Sequence, residues 1–466
     1  MKRSKKLCIL LGILIAVCLA ALVAMLSEEK KEEIKTSGET VLSVESAKVT
    51  ALCWEQDGTT WSFHRGDDGW QYDDDAEFPV SDSAMDALLE PFRSLSAAFT
   101  IENAEDLGRY GLDEPTCTIT LTTDDETYTV KLGDHSTMDS QRYMDIGDGN
   151  VYLAVSDPLD AYDVELKDLI ANDYVPYFDE VSQIRFAGSE DYSVIYDEDG
   201  KSICADDIYF TVDGKPLDTS RVNSYISVLR YLDLTDYVTY KVTDEELSAY
   251  GLDDPELSVS VDYTDDGTSD TFVLHISRDP AEKKSAADAA DEEASDITAY
   301  ARVGDSKIIY QISGSSYRSL MAAGYNDLRH QEIFSGDFDN VTGIDITLDG
   351  GTYTLTSQKD GKERTWLCEE AEIEIGDLQD ALEALTAEEF TSEKATGQQE
   401  ISLTLHLDYE DEPELTITLY RCDGSKCLAV VDGKSLCPAR RDGDAGGSRP
   451  CHCPELNHKT KQHKPA

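Results

Sequence analysis

Hydrophobic residues recur in short strand-like runs, and the order of these runs repeats three times along the chain. Each series opens with apolar and β-branched residues, at positions 49–52, 181–186 and 341–346. Asp-Gly pairs, which favour tight turns between strands, follow at positions 57–58, 199–200 and 360–361. A fixed order of elements that returns along a chain is typical of tandem repeats. We therefore expect one β-rich module present in three copies.

One amphipathic segment follows the first strands of each series. Its apolar residues recur every three or four positions, which predicts a helix that buries one stripe against a sheet. These residues are Met85, Leu88, Leu89, Phe92 and Leu95 in the first series, Val222, Tyr225, Ile226, Leu229 and Leu232 in the second, and Leu378, Leu382 and Leu385 in the third. Pro91 should kink or divide the first helix.

A short motif occurs twice, as EDLGRYGLDEP at 105–115 and as EELSAYGLDDP at 245–255. It predicts the end of a helix that starts near Asn103 or Thr243, with a left-handed glycine followed by an apolar residue and then proline. The residues that define this structural motif are Tyr110, Gly111, Leu112, Asp113 and Pro115 in the first copy and Tyr250, Gly251, Leu252, Asp253 and Pro255 in the second.

Alternating strands follow each copy of the motif, so the chain is predicted to be an α+β protein. Each module combines an antiparallel sheet with one main helix. The predicted segments are repeat one at 41–177, repeat two at 178–337 and an incomplete repeat three at 338–436, after a linker at 27–40. Within repeat two, the Ala- and acid-rich residues 279–296 predict a disordered hairpin extension.

The N-terminus predicts a membrane anchor. A basic flank at 1–6 precedes an uncharged run at 7–26, and a helix of that length spans roughly 30 Å, about the thickness of the hydrocarbon layer. The basic flank should stay in the cytoplasm, which places the body of the protein on the other side of the membrane. A cleaved signal peptide is the alternative interpretation. Both interpretations predict an extracytoplasmic protein.

The chain is strongly acidic, with a formal net charge of −55. Such a charge excludes general electrostatic affinity for nucleic acid or for anionic lipid surfaces, because like charges repel. It is compatible with a cationic protein partner or with weakly held divalent ions.

The C-terminal residues 437–466 differ from the rest of the chain. They contain more basic than acidic residues and no apolar period, in a protein with 95 acidic and 40 basic residues. A frameshift or assembly error in the coding sequence explains this change, and a native basic tail is the alternative. Zinc-ligand residue types occur there as Cys437, Cys451, Cys453, His458 and His463, but their spacing does not fit a structural zinc site.

Few other residues suggest chemistry. Cys422 and Cys427 flank a predicted hairpin loop and could form a disulfide, whereas two reduced thiols are the simpler alternative. The run 196–200 lacks the acid that a calcium loop needs at Ile195, and Asp134-His135-Ser136 are too close in sequence to converge as a triad. We expect no resident cofactor and no metal site, and we regard the remaining dispersed cysteines, Cys204 among them, as small buried apolar residues.

The repeated Tyr-Gly-Leu-Asp-x-Pro motif, the paired strands and the N-terminal anchor together resemble the bacterial family known as domain of unknown function 4340. The resemblance covers roughly residues 41–436, and this chain departs from the family at its end. The family has no established activity, so the resemblance implies no catalytic residue. Some members are similar to components of gliding-type transport systems or lie beside export-permease genes, which implies an envelope role by analogy.

These observations predict a non-catalytic, membrane-anchored binding or scaffold protein, accessory to an ABC-type transport system of the envelope. Its partners would be the membrane and membrane transport proteins, and not nucleic acid. Two alternatives are a carboxylate-dependent hydrolase of surface polymer, which requires carboxyl groups of raised pKa, and a calcium-dependent adhesion or solute-binding module.

Overall fold

The computed structural model describes residues 38–137, 141–286, 297–360, 363–387, 390–391, 394–409, 412–421, 426–432 and 434–440. The chain divides into two compact units. One unit comprises the described residues up to Tyr174 together with Leu234–Thr243 and Lys307–Tyr310. The other comprises Val175–Asp233, Asp244–Ser306 and the described residues from Gln311 onward.

The described part of the chain forms three antiparallel sheets. The first contains β1 (Glu39–Leu42), β2 (Val49–Gln56), β3 (Thr59–Gly66), β4 (Gly69–Tyr72), β5 (Leu95–Ile101), β6 (Cys117–Thr123), β7 (Thr127–His135), β8 (Arg142–Asp145) and β9 (Val151–Ala154). The strands lie in the order β4-β3-β2-β6-β7-β8-β9-β5-β1. Side chains on alternate positions of β6 are buried, at Cys117, Ile119 and Leu121.

The second sheet contains β10 (Glu180–Ala187), β11 (Tyr192–Tyr196), β12 (Tyr209–Thr211), β13 (Pro216–Leu217), β14 (Tyr237–Thr239), β15 (Leu257–Asp265), β16 (Thr268–Arg278), β17 (Ala299–Val303) and β18 (Ile309–Ile312). Its order is β13-β12-β11-β10-β15-β16-β17-β18-β14.

The third sheet contains β19 (Val341–Leu348), β20 (Gly351–Asp360), β21 (Glu363–Cys368), β22 (Ala371–Ile373), β23 (Gln399–Leu407), β24 (Glu414–Arg421), β25 (Lys426–Val431) and β26 (Lys434–Arg440). Its order is β22-β21-β20-β19-β23-β24-β25-β26. The last strand therefore continues past Leu436. Of the C-terminal residues 437–466, which differ in composition from the rest of the chain, 441–466 lie outside the described residues.

The three sheets share a central strand order, as expected for a repeated module, and differ at their edges. In each sheet the opening strand lies between its hairpin partner and a strand that comes later in the chain than the main helix, giving β3-β2-β6, β11-β10-β15 and β20-β19-β23. The opening strand also carries an irregularity near its start in all three sheets. There the hydroxyl groups of Thr50, Ser182 and Thr342 each donate to a carbonyl of the neighbouring strand, at 3.2, 3.2 and 3.1 Å. The same hydroxyl-to-carbonyl hydrogen bond thus accompanies the β-bulge in all three sheets.

The α-helices are few and short. Within the described residues they are α1 (Asp82–Leu89), α2 (Thr219–Arg230), α3 (Pro280–Ala286), α4 (Gly314–Met321), α5 (Tyr325–Leu328) and α6 (Gly376–Glu383). The three predicted main helices correspond to α1, α2 and α6. Ser81 caps α1 and Asp218 caps α2 through side-chain hydrogen bonds, and both helices bury their apolar stripe.

Several element boundaries differ from the predicted ones. Pro91 ends α1 and starts a 3₁₀ helix at Glu90–Ser94, and Leu95 begins a strand instead of extending the helical stripe. The prediction of disorder is wrong for Pro280–Ala286, which is helical, whereas residues 287–296 lie outside the described residues. The sequence does not predict β5, which lies between β9 and β1, or the edge strand β14, because their apolar residues do not alternate regularly.

The repeated motif forms a helix ending, but the helix is only one 3₁₀ turn. The turns are Leu107–Tyr110 and Leu247–Ala249, followed by left-handed Gly111 and Gly251. The amide of Leu112 donates to the carbonyl of Leu107 at 3.1 Å, which is the long hydrogen bond of a Schellman ending. The expected cap at Asn103 is wrong, because Asn103 itself has a positive φ and the turn starts later.

The predicted anchor at residues 7–26 lies outside the described residues. From Gly38 onward, none of the described helices is both long enough and apolar enough to cross a bilayer.

Candidate functional site

An inserted loop distinguishes the second sheet from the other two. Strands β11 and β12 are joined by residues 197–208, whereas the corresponding strands are joined by residues 67–68 in the first sheet and by 361–362 in the third. The module therefore does not need a long connection at this point. Long loops carried on a repeated scaffold are frequent locations of function.

The inserted loop is held in place at its base by the start of α2. The amide of Asp197 donates to the carbonyl of Ile208 at 2.8 Å and closes the loop. The hydroxyl of Thr219 donates to the carbonyl of Asp206 at 2.9 Å and accepts from the amide of Ile208 at 3.1 Å. These bonds give the loop a defined conformation.

The tip of the inserted loop contacts the third sheet through Tyr409. The Tyr409 hydroxyl donates to the carbonyl of Ile203 at 2.7 Å and accepts from the side-chain amide of Asn340 at 2.7 Å. Because Tyr409 follows β23 and Asn340 precedes β19, two ends of the third sheet hold the loop.

Four polar side chains converge beneath the inserted loop, and we call Ser202, Cys204, Asp207 and His330 the polar cluster. Nε2 of His330 lies 2.8 and 3.0 Å from the two carboxylate oxygens of Asp207, and the Ser202 hydroxyl donates to the same carboxylate at 2.7 Å. One donor atom from each of Cys204, Asp207 and His330 lies within 4.8 Å of the other two. Asp207 at the centre of the cluster is buried, with its side chain 1% exposed, whereas Ser202, Cys204 and His330 are half-buried.

Local turns aim the cluster residues inward. The amide of Asp207 donates to the carbonyl of Cys204 at 3.3 Å, which forms a turn, and the amide of Cys204 donates to the Ser202 hydroxyl at 3.2 Å. His330 follows α5, and the preceding Leu328 carbonyl accepts from the amide of Asp218 at 3.0 Å. Segments distant in sequence are thereby fixed next to each other.

Electrostatics couple the members of the polar cluster. Burial by itself would lower the pKa of His330, but the hydrogen bond and the charge of Asp207 outweigh burial and raise this pKa. Burial raises the pKa of the Cys204 thiol, and the nearby carboxylate of Asp207 adds to the rise. A raised pKa disfavours the thiolate, so this environment does not activate Cys204 as a nucleophile.

A cavity of about 340 Å³ opens onto the cluster. Its lining includes Ser202, Cys204 and Asp207, and it also has the charged residues Glu198, Lys201 and Glu412. A larger cleft of about 790 Å³ lies against the first sheet and is lined by arginines and acids such as Arg65, Asp82 and Arg93. We place the candidate site at the smaller cavity, because only its lining combines a thiol, a hydroxyl and a buried carboxylate.

The predicted motif residues have structural contacts, and none of them belongs to the polar cluster. Tyr110 packs on Tyr143 with ring centroids 4.8 Å apart, and Tyr250 packs on Tyr300 at 5.1 Å. Leu112 and Leu252 are buried. The remaining residues, Asp113, Pro115, Asp253 and Pro255, belong to the turns that follow these helix endings.

The other residues considered from sequence do not form a site in the described part of the chain. His135 pairs with Asp157 at 3.2 Å and not with its neighbours Asp134 and Ser136. Cys427 is buried on β25, but Cys422 lies outside the described residues, so their disulfide stays a prediction. The zinc-ligand types of the tail beyond Arg440 also lie outside the described residues.

Sequence reasoning missed the polar cluster. Cys204 was expected to be a buried apolar residue, and neither Asp207 nor His330 stood out. The Asp-Gly pair at 199–200 predicts a tight hairpin at the position where the structure has an inserted loop. An alignment of the three repeats by their strands shows the extra residues of this loop. The contact with His330 spans 123 positions and has no local signature.

A family model described as domain of unknown function (DUF4340) matches the chain twice, at residues 70–255 and 212–403. Together the two matches cover more than half of the 466 residues. No curated protein and no solved structure matches the chain.

Proposed function

Because the chain belongs to the DUF4340 family, whose function is unknown, we propose a function from the structure itself. We propose that the protein is a non-catalytic, membrane-anchored binding or scaffold protein that lies outside the cytoplasm. Its partner is a membrane component of an ABC-type export system.

The observation that carries this proposal is the pair of exposed tyrosines at the end of α2, Tyr177 and Tyr231, whereas the directions of the carboxyl pKa shifts bear on the hydrolase alternative. A hydrolase that acts through carboxylates needs an acid of raised pKa. Among the described residues, every carboxyl group with a shifted pKa has it lowered; these are Asp75, Asp148, Glu256, Asp262 and Asp345. Such groups stay charged near neutral pH and serve ion pairs and hydrogen bonds, which favours a binding protein over a hydrolase.

A surface suited to a protein partner lies at the end of α2, and we call Tyr177, Arg230 and Tyr231 the aromatic patch. The Arg230 guanidinium lies 5.0 Å from the ring centroid of Tyr177. Tyr177 is 68% exposed and Tyr231 is 87% exposed. Exposed tyrosine and arginine side chains are the residue types that contribute most to binding at protein interfaces.

The location that the N-terminal sequence predicts for the protein supports the same proposal. The uncharged run at 7–26 with its basic flank is typical of an N-terminal anchor, and the net charge of −55 suits a partner with a basic surface. The repeated sheets supply a stiff support for such a surface.

Co-purification from native membranes tests the proposal. Affinity-tagged full-length chain, cross-linked in cells and extracted in detergent, should recover an export permease. Replacing both Tyr177 and Tyr231 by serine should reduce that recovery about tenfold or more, because aromatic hot spots at an interface contribute on the order of 2 kcal/mol each. Tyr353→Ser is the matched control, since Tyr353 is a 45% exposed tyrosine on β20.

Equal recovery of the permease with both variants would remove the aromatic patch from the proposal. Recovery of no membrane protein by the wild-type chain would contradict the accessory function itself.

A further inference from the structure

We propose that the polar cluster is a binding site for a zinc-class divalent ion, with Cys204, Asp207 and His330 as its ligands. This inference goes beyond the proposed function and does not depend on a membrane partner.

The three donors fit zinc by chemical type. Imidazole, carboxylate and thiolate side chains bind zinc, whereas calcium and magnesium prefer oxygen ligands alone. Zinc binding displaces the proton of a thiol, so Cys204 would become a thiolate as the ion binds. Zinc–ligand bonds are about 2.0–2.3 Å long, which places two ligands of one tetrahedral ion roughly 3.3–3.8 Å apart. The three donor atoms already lie within 4.8 Å of one another, so side-chain rotations of modest size bring them to one ion.

The surroundings of the donors resemble those of a prepared site. Ser202 donates to the Asp207 carboxylate at 2.7 Å and orients it, as outer hydrogen bonds orient metal ligands. Thr219 and Tyr409 hold the loop that carries Cys204 and Asp207. His330 comes from a separate segment, so one ion would join two parts of the chain.

The adjacent cavity provides access and a free coordination position. Cys204 and Asp207 line this cavity of about 340 Å³, which has room for water beside the ligands. Three protein ligands with a fourth position open to solvent give an exchangeable site, in contrast to structural zinc sites, in which the protein supplies all four ligands.

The placement of the ligands argues against a purely structural polar cluster. Two of the three ligands lie in residues 197–208, the loop that neither of the other two copies of the module has. The third sheet also contains a histidine–aspartate pair, His406 with Asp345 at 2.8 Å. Each histidine has a second acidic neighbour, Glu332 for His330 and Glu414 for His406, but the His406 pair is about one-third exposed whereas Asp207 is 1% exposed. It serves as a matched comparison for His330.

Cobalt substitution tests the inference. Full-length protein, stripped of metal with a chelator and titrated with Co²⁺, should develop a thiolate-to-cobalt charge-transfer band in the near ultraviolet, and Zn²⁺ should remove this band. Cys204→Ala should abolish the band. His330→Gln should weaken Zn²⁺ binding about 100-fold, since loss of even an outer ligand contact costs 10- to 100-fold.

Two controls separate this site from other donors. His406→Gln should leave both the band and the Zn²⁺ affinity unchanged. A chain with Cys451 and Cys453 both replaced by serine should also keep the band, because the tail thiols are not the proposed ligands.

Circular dichroism without metal establishes that each variant folds, and Cys204→Ser replaces Cys204→Ala if the alanine variant does not fold. A band that persists without Cys204, a band that disappears with the tail thiols, or the absence of any band in the wild-type chain would each overturn the inference.

Discussion

At the residue scale, the glycine of the repeated motif combines two constraints. Gly111 has a φ of +66°, and a Cβ atom placed there would lie 2.7 Å from Cγ and 2.9 Å from the backbone nitrogen of Asp134. The first constraint is conformational, since residues with a side chain are strained in the left-handed region. The second is steric, because the helix ending packs closely against the end of β7.

Replacing Gly111 by alanine should destabilise the first sheet by about 2–4 kcal/mol, of which about 1–2 kcal/mol is left-handed strain and the rest is overpacking. The matched control is Gly58→Ala, since Gly58 has a φ of +76° and open space around it. Gly58→Ala should be destabilised only by left-handed strain, by about 1–2 kcal/mol. Urea unfolding followed by tryptophan fluorescence measures both, because Trp54, Trp61 and Trp70 all lie in this sheet. Equal losses in the two variants would contradict the close-packing argument.

The motif glycines were predictable because their conformation is set within a few residues. The polar cluster was not predictable, because His330 meets Asp207 across 123 positions and only the folded chain shows this contact. Local patterns therefore identified the structural glycines and missed the candidate site.

At the element scale, Asp-Gly pairs located some hairpins and misplaced others. Asp57-Gly58 forms the predicted tight turn, with positive φ at both residues. Asp349-Gly350 also has positive φ at both residues but was not among the predicted turns. Gly361 of the predicted pair at 360–361 lies outside the described residues. The pair at 199–200 instead lies inside the inserted loop. In a chain this rich in aspartate the pair is common, so its presence alone does not determine which strands it joins.

Glu256, which directly precedes β15, connects the end of β16 with α4. It accepts hydrogen bonds from Arg278 at the end of β16, at 2.9 Å from both the backbone amide and the guanidinium. It also accepts from the Tyr317 hydroxyl on α4, at 2.9 Å. Burial alone would raise the pKa of Glu256, but the hydrogen bonds from Arg278 and Tyr317 outweigh it and lower the pKa below the ordinary 4.5.

Replacing Glu256 by glutamine should lower the free energy of unfolding near neutral pH by about 1–3 kcal/mol, the usual range for hydrogen bonds to a charged group. Because the folded-state pKa is the lower one, this stabilisation is complete well above pH 4.5. It is lost as the pH falls through the folded-state value.

Calorimetric melts over a pH series measure this effect. The difference in Tm between the wild type and Glu256→Gln should be constant near neutral pH and shrink as the pH falls below 4.5. The exposed Glu105→Gln is the control for the loss of one charge. A difference that stays constant into strong acid would show that the ionised carboxylate is not what stabilises these elements.

At the scale of the whole molecule, the chain uses one module three times and varies it in one place. The common strand order and the repeated hydroxyl-to-carbonyl bonds of Thr50, Ser182 and Thr342 show the shared architecture. The tandem character was predictable from the periodic apolar pattern. Strands β5 and β14 and the inserted loop were not predictable, because they depart from that pattern.

The charge and the surface of the molecule support the binding function proposed above. The aromatic patch presents two exposed tyrosines at the end of α2, and the half-buried Arg230 lies against the ring of Tyr177. The family to which the chain belongs has no assigned function, so the partner has to be identified by direct contact.

Site-specific photo-cross-linking in living cells tests this account most directly. A photoreactive amino acid at position 231 of the full-length chain, compared with the same residue at position 353, reports which protein lies against the aromatic patch. The account predicts a cross-link from position 231, and not from position 353, to a membrane protein of an export system. Cross-linking at position 231 that does not exceed that at position 353, or a cross-link to a cytoplasmic protein, would contradict it.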